Sequence, residues 1–185
     1  MHDKDLVIQG VALILEGLVG PEWTSDRNYE DTPQRVANFY EEMFHERNFQ
    51  LTSFQEKHDQ MITLRHHIEY TLCPHHLLPV RLDISCAYIP TESVLGLSKL
   101  IRLIQTHLEE PILQETITDS LADELMKIDS LHPPLGAAVL VYGDHACMQI
   151  RGARTTGDVA TSAMRGVFFS NRSSRDEFLD LVRRG

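Results

Sequence analysis

Cys73, His75, His76, His145 and Cys147 hold the densest chemistry in this chain of 185 residues. In "TLCPHHLLPV" the spacing Cys73-x-x-His76 lets one loop supply two metal ligands, and thiolate with imidazole is the donor set that zinc prefers. Cys147, in "DHACMQIR", is the candidate third ligand. A Cys/His/Cys zinc site leaves a fourth position for water, whose pKa falls from ~15.7 to about 7 when bound, so such a site is hydrolytic rather than structural. His75 and His145 flank it as free imidazoles able to move protons. Spacing alone leaves open a pair of unrelated buried thiols beside surface histidines.

Other polar residues have a functional and a plainer reading side by side. "GLSKLIRLI" opens a helix whose N-terminal N–H groups, with Ser98, Lys99 and Arg102, suit an anion; a solvated basic face is the alternative. Gln114 and Glu115 begin a second helix and can read the donor edge of a base, while Glu115 also simply favours a helix N-terminus. Arg35 lies one turn into its own helix, where surface exposure is usual. The alternation of a strand puts His145, Cys147, Gln149 and Arg151 on one face and Ala146, Met148 and Ile150 on the other. Cys86 falls on the apolar side of its strand and reads as core.

These residues need a scaffold, and the chain is long enough to bury one good core. No Pro/Gly/Ser-rich linker divides it. Residues 1–60 read as an N-terminal helical extension and 61–185 as the catalytic domain, together one structural unit. Apolar residues make up 42% and charged residues 24%, ordinary for a globular protein. The net charge of −10 argues against a nucleic-acid partner but not against a phosphorylated small molecule held by a few cations. No apolar run approaches a membrane span, and "MHDKDLVIQG" lacks the layout of a signal peptide, so no membrane partner and a cytoplasmic location are expected. Three widely spaced cysteines are too few for a disulfide framework.

Periodicity then supplies the elements. Leu6, Val7, Gly10, Val11, Leu13, Ile14 and Leu18 predict an amphipathic helix ending near Gly20-Pro21. Thr32 as N-cap and Pro33 at the first helical position predict a second, with Val36, Phe39, Tyr40 and Met43 as its buried stripe. Residues 46–60 read as a loop. Val80, Leu82, Ile84, Cys86 and Tyr88 alternate as in a half-buried antiparallel strand, partnered by 62–71, so "CPHHLLP" connects the two. Leu97, Leu100, Ile101 and Ile104 predict one helix, and Leu113, Ile117, Leu121 and Leu125 another, with Pro111 between them. "GAAVLVY", Gly143-Asp144 and "HACMQIR" read as a hairpin. A Ser174…Glu177 capping box starts a terminal helix with Phe178, Leu179, Leu181 and Val182.

Taken in order, "DTPQRV", "CPHHLLP", "AYIP", "VLGLSKL", "LQE", "DHACMQIRG", "TSAMRGVF" and "EFLDLV" resemble GTP cyclohydrolase I, the zinc enzyme that opens the purine ring of GTP. Eight collinear pieces between about residues 31 and 182 carry the resemblance. It implies that Cys73, His76 and Cys147 bind Zn2+ and that His75 and His145 are catalytic, with Ser98 assisting. It implies that Glu115 anchors guanine with Gln114 beside it, and that Lys99, Arg102, Arg151 and Arg35 line the triphosphate site. The fold it implies is α+β, the tunnelling fold: an antiparallel sheet with a helix pair between its second and third strands, plus N-terminal helices. A homo-oligomer, a decamer-like toroid with active sites at subunit interfaces, is implied as well.

The implied reaction is hydrolytic opening of the GTP imidazole ring with loss of formate, then rearrangement of the ribose and closure to 7,8-dihydroneopterin triphosphate. Four departures from the family pattern stand out: Pro74 in place of Glu, Leu82-Asp83 in place of Gly-Lys, Glu109-Glu110 in place of a basic pair, and Thr116 in place of Arg. Two rivals remain at this level. Another tunnelling-fold enzyme acting on a pterin or deazapurine would not need both cysteines beside two histidines. A catalytically silent, zinc-stabilised nucleotide-binding oligomer would need neither His75 nor His145.

Overall fold

The computed structural model describes residues 3–183. They fall into two compact units that meet in sequence between Glu46 and Arg47, earlier than the boundary expected at residue 60. The reason is local: β1 (Ser53–Gln55), inside the expected loop, pairs with β4 (Ser93–Leu95) and so belongs to the second unit.

The first unit contains α1 (Lys4–Val19) and α2 (Thr32–Met43), with a 3-10 turn at Pro21–Ser25 between them. The Asp3 carboxylate caps α1 by accepting from the Leu6 N–H at 3.0 Å. Val11 and Leu15 of α1 are buried, as are Pro33, Ala37 and Phe44. Leu6, Leu13, Ile14 and Leu18 lie on the exposed side, because α1 is apolar around much of its circumference and buries only one stripe within this unit. Phe39, expected inside, is 45% exposed; Pro33 and Ala37, four residues apart, take the inward face instead. Thr32 is already helical, with Asp31 at the cap position.

The second unit is built on a four-stranded antiparallel sheet in the order β2-β3-β5-β6: β2 (Ile62–Leu72), β3 (Pro79–Ile89), β5 (Gly136–His145) and β6 (Val159–Gly166). Helices α3 (Leu97–Thr106) and α4 (Gln114–Leu125) lie between the second and third of these strands, the α+β arrangement expected of the tunnelling fold. One sheet face packs on them: Leu82, Ile84, Cys86, Tyr88, Val139 and Val141 meet Leu100, Leu103, Ile104, Ile117, Leu121 and Leu125. Each fully buried Leu or Ile contributes roughly 1.5–3 kcal/mol relative to exposure. Alternate residues Ala87, Ala138 and Leu140 face the other way, against Phe168, Phe178 and Val182, with the two phenylalanine rings edge to face at 6.1 Å. The second half of β3 is therefore buried on both sides rather than on one.

Two further expectations need correction. After the short helix α6 (Val167–Ser170), the terminal helix α7 runs Arg172–Arg183, and the side chain at its start that accepts a backbone N–H is Asn171, from Ser173 at 2.8 Å; Ser174 lies inside it. The expected hairpin turn at Gly143-Asp144 is absent: β5 continues through both residues, and "ACMQ" forms a short helical turn, α5 (Ala146–Gln149), before the chain returns as β6. No helix among the described residues is long and apolar enough to cross a membrane.

Candidate active site and metal centre

The β2–β3 connection is a tight loop whose backbone is satisfied from within. The Cys73 N–H donates to Leu78 O at 2.9 Å, and the Leu77 N–H donates back to Cys73 O at 2.8 Å. Leu77 adopts a left-handed φ of 52°, the conformation that turns the chain after two consecutive histidines. This places Cys73 at the buried base of the loop and leaves His75 and His76 exposed. Cys73 Sγ lies 3.7 Å from His75 Nδ1 and 3.8 Å from His76 Nδ1.

Cys147 arrives from the far end of β5. The expected strand-face grouping of His145, Cys147, Gln149 and Arg151 does not occur, because α5 replaces the strand after His145. One helical turn nevertheless brings Cys147 to the same point, and the ligand atoms of Cys73, His76 and Cys147 all lie within 4.8 Å of one another. Burial, reinforced by the neighbouring Cys73 sulfur, pushes the Cys147 thiol above its ordinary value, while Arg151 opposes the shift. Two sulfurs and one imidazole nitrogen form a donor set that fits zinc and not magnesium, which takes oxygen. The Arg151 guanidinium donates to His76 Nε2 at 2.6 Å. An accepting Nε2 on a neutral ring puts the ring proton on Nδ1, so this hydrogen bond and metal ligation through Nδ1 exclude each other.

His145 ends β5 and sits half-buried. Its Nε2 lies 2.8 Å from Gln114 Oε1, and Gln114 itself is only 3% exposed. Burial lowers the His145 pKa, and the negative charges of Glu115 and Asp144 partly offset that. Glu115, next along α4, is exposed and faces the same imidazole electrostatically. Gln114 lies inside for a reason visible in sequence: positions 114, 117, 118, 121, 122 and 125 form the buried stripe of α4, a helical face that starts one turn before Ile117.

The remaining expected residues are placed less centrally. Ser98 is exposed in the first turn of α3. Lys99 is engaged by the preceding segment, donating to Gln50 O at 2.7 Å with its ammonium 5.6 Å from the centre of the Phe49 ring. Arg102 is exposed, one turn further on. Among the described residues no hydrogen bond or ion pair joins these three to the cysteine-histidine cluster. Arg35, in the first unit, contacts Asn28 O, the Thr32 hydroxyl and the Asp31 carboxylate.

Among the departures, Leu82-Asp83 and Glu109 have structural roles. Leu82 is fully buried against the helix pair, and Asp83 holds His66 through Oδ2 at 3.2 Å. His66 sits in a bulge of β2 with φ of 53°, and its Nε2 reaches Val182 O of α7 at 3.0 Å. Glu109 accepts from the Arg47 N–H at 2.6 Å.

With this geometry in view, the chain belongs to the GTP cyclohydrolase I family, whose family model matches residues 10–183. It is 38% identical to the GTP cyclohydrolase 1 of Hydrogenobaculum sp. (strain Y04AAS1) over 99% of this chain and 100% of that one. It is 39% identical to the GTP cyclohydrolase 1 of Aquifex aeolicus (strain VF5), covering 98% and 97% of the two chains. Identity to the GTP cyclohydrolase 1 of Brevibacillus brevis is also 39%, over 98% of each. Among solved structures, the archaeosine synthase QueF-Like in the apo form overlaps 57% of this chain and 93% of its own at a TM-score of 0.46 and 19% identity.

Proposed function

We infer that the chain is a GTP cyclohydrolase I, which hydrolytically opens the purine ring of GTP, releases formate and forms 7,8-dihydroneopterin triphosphate. The observation that carries this reading is the convergence of the ligand atoms of Cys73, His76 and Cys147 within 4.8 Å, in a chain that also carries His75 and His145 and is matched by the family over residues 10–183. Zinc held by these three side chains would supply a Lewis acid that makes water nucleophilic near neutral pH.

The residues around it divide the remaining work. His145, whose Nδ1 makes no hydrogen bond to the described residues, exchanges a proton with a purine ring nitrogen as the imidazole ring opens. His75, exposed beside Cys73, is the second acid–base group, and the Ser98 hydroxyl assists at the ribose. Glu115 accepts from the guanine N1–H and 2-amino group, while Lys99, Arg102, Arg151 and Arg35 hold the triphosphate. The reading includes a homo-oligomer of toroidal form, with sites completed between subunits, working in the cytoplasm. Incubating the zinc-loaded protein with GTP and following formate and the dihydropterin chromophore together tests it. Both products are expected in equal amounts, and absence of formate release refutes the reading.

A further inference from the structure

Gln114 is expected from the family resemblance to lie beside the guanine ring, yet its side-chain amide is occupied by the protein itself. The amide nitrogen donates toward Val159 O at 2.9 Å and Val141 O at 3.1 Å, and also lies 3.1 Å from Thr161 Oγ1. The two backbone carbonyls can only accept, so the amide cannot be flipped. The hydroxyls close the network. Thr118 Oγ1 donates to Gln114 O at 2.8 Å, which spends its proton. The 2.6 Å contact between Thr161 and Thr118 must then be a donation from Thr161, so Thr161 Oγ1 can only accept from Gln114, whose two amide hydrogens are shared among its three acceptors.

With the nitrogen assigned, the atom facing His145 is Gln114 Oε1, at 2.8 Å from Nε2. An amide oxygen only accepts, so Nε2 carries the hydrogen. Gly143 makes this contact possible: a Cβ built there would stand 2.0 Å from Gln114 Oε1 and 2.9 Å from His145 Nε2. A glycine inside a strand often marks such a close approach.

We propose that Gln114 is a positioning residue for His145: its carbonyl oxygen keeps the imidazole proton on Nε2, leaving Nδ1 as the nitrogen that exchanges protons with the substrate, while Gly143 keeps the space for that contact. The closed ring of Gln114, Thr161 and Thr118 gives Gln114 Oε1 one orientation before substrate arrives, so no reorganisation accompanies proton transfer. The catalytic part of the proposal rests on the reading of His145 as an acid–base group. The tautomer does not.

Neutron diffraction from crystals of the zinc-loaded protein, exchanged into heavy water at mildly alkaline pH, tests the tautomer directly. Deuterium on His145 Nε2, in line with Gln114 Oε1, is expected; a bare Nε2 overturns the proposal. The variant Gln114→Leu then separates positioning from base reading. Zinc content should be unchanged and KM for GTP little altered, with kcat down about 10²-fold, as when an orienting partner of a catalytic imidazole is lost. A raised KM with kcat retained would make Gln114 a reader of guanine and overturn the proposal. Should the variant fail to fold, the neutron result on the unaltered protein decides. Unaltered, zinc-loaded protein that releases no formate from GTP sinks the proposed activity instead, and leaves the deuterium position as an independent result.

Discussion

Replacing Gly143 with alanine adds one methyl group at the most crowded point near His145. The new Cβ would lie 2.0 Å from Gln114 Oε1 and 2.9 Å from both Gln114 Cδ and His145 Nε2, against ordinary carbon contacts of about 3.5–4 Å. The obstructing amide is not a free chain end, since Gln114 is 3% exposed and bonded to Val141, Val159 and Thr161. Expelling it forfeits several hydrogen bonds worth about 1 kcal/mol each and strands buried polar groups, for a total of about 2–4 kcal/mol. Alanine recovers about 0.5–1 kcal/mol of the entropy a strand glycine costs. The net loss of about 1–3.5 kcal/mol leaves a folded protein with a melting temperature lower by about 2–14 °C, at the ~2–4 °C per kcal/mol typical of this chain length. Calorimetry of the zinc-loaded variant measures that loss, and metal analysis with formate release measures the site. Zinc should remain while turnover falls with the displaced His145. A melting temperature and kcat equal to those of the unaltered protein would refute the idea that Gly143 reserves this space.

Cys147→Ala should abolish stoichiometric zinc binding in metal analysis, and His75→Ala should keep the zinc while losing roughly 10²- to 10⁴-fold in turnover. Glu115→Gln should raise KM for GTP and weaken rejection of ATP, since an acceptor that the bound base desolvates and leaves unpaired costs about 1–3 kcal/mol; Lys99→Ala and Arg102→Ala should instead reduce the advantage of GTP over guanosine in competition assays. Tyr88→Phe removes the hydroxyl that accepts the buried Leu95 N–H at 2.8 Å, so urea unfolding should show a loss of about 1–3 kcal/mol. Asp129 is held below its ordinary pKa by the Ser93 hydroxyl and the backbone N–H groups of His132 and Leu131. It therefore stabilises the fold above the ordinary carboxylate range and loses that effect as pH falls through its folded value. Asp129→Asn should accordingly melt below the unaltered protein at neutral pH, with the gap closing in acid.

Where local rules govern, the chain was readable. Pro33 marks the start of α2, alternation from Val80 to Tyr88 marks β3, and the four-residue steps from Ile117 to Leu125 mark α4, because hydrophobic period reports directly which face is buried. The pairing of Cys73 with His76 was legible for the same reason, as three residues of one loop can hardly separate their ends. The route of the chain after Tyr142 was not. Gly143-Asp144 has the composition of a hairpin turn, and "HACMQIR" alternates well enough for a strand. Pairing with β6 as far as Gly143 and with β3 as far as His145 instead extends β5, and the chain then coils through α5.

The sequence by itself determined the types of the candidate ligands, the two histidines near them in the chain and the order of the long helices and of the first two sheet strands, because these follow from side-chain chemistry and from periods of two and 3.6 residues. Only the tertiary structure decided that Cys147 reaches the loop by a helical turn, that Gly143 is a space rather than a bend, and that Gln114 faces His145 with its oxygen. Those outcomes depend on which backbone carbonyls of β5 and β6 come to lie opposite the first turn of α4, and no local pattern in the chain specifies a contact between residues 27 to 47 positions apart.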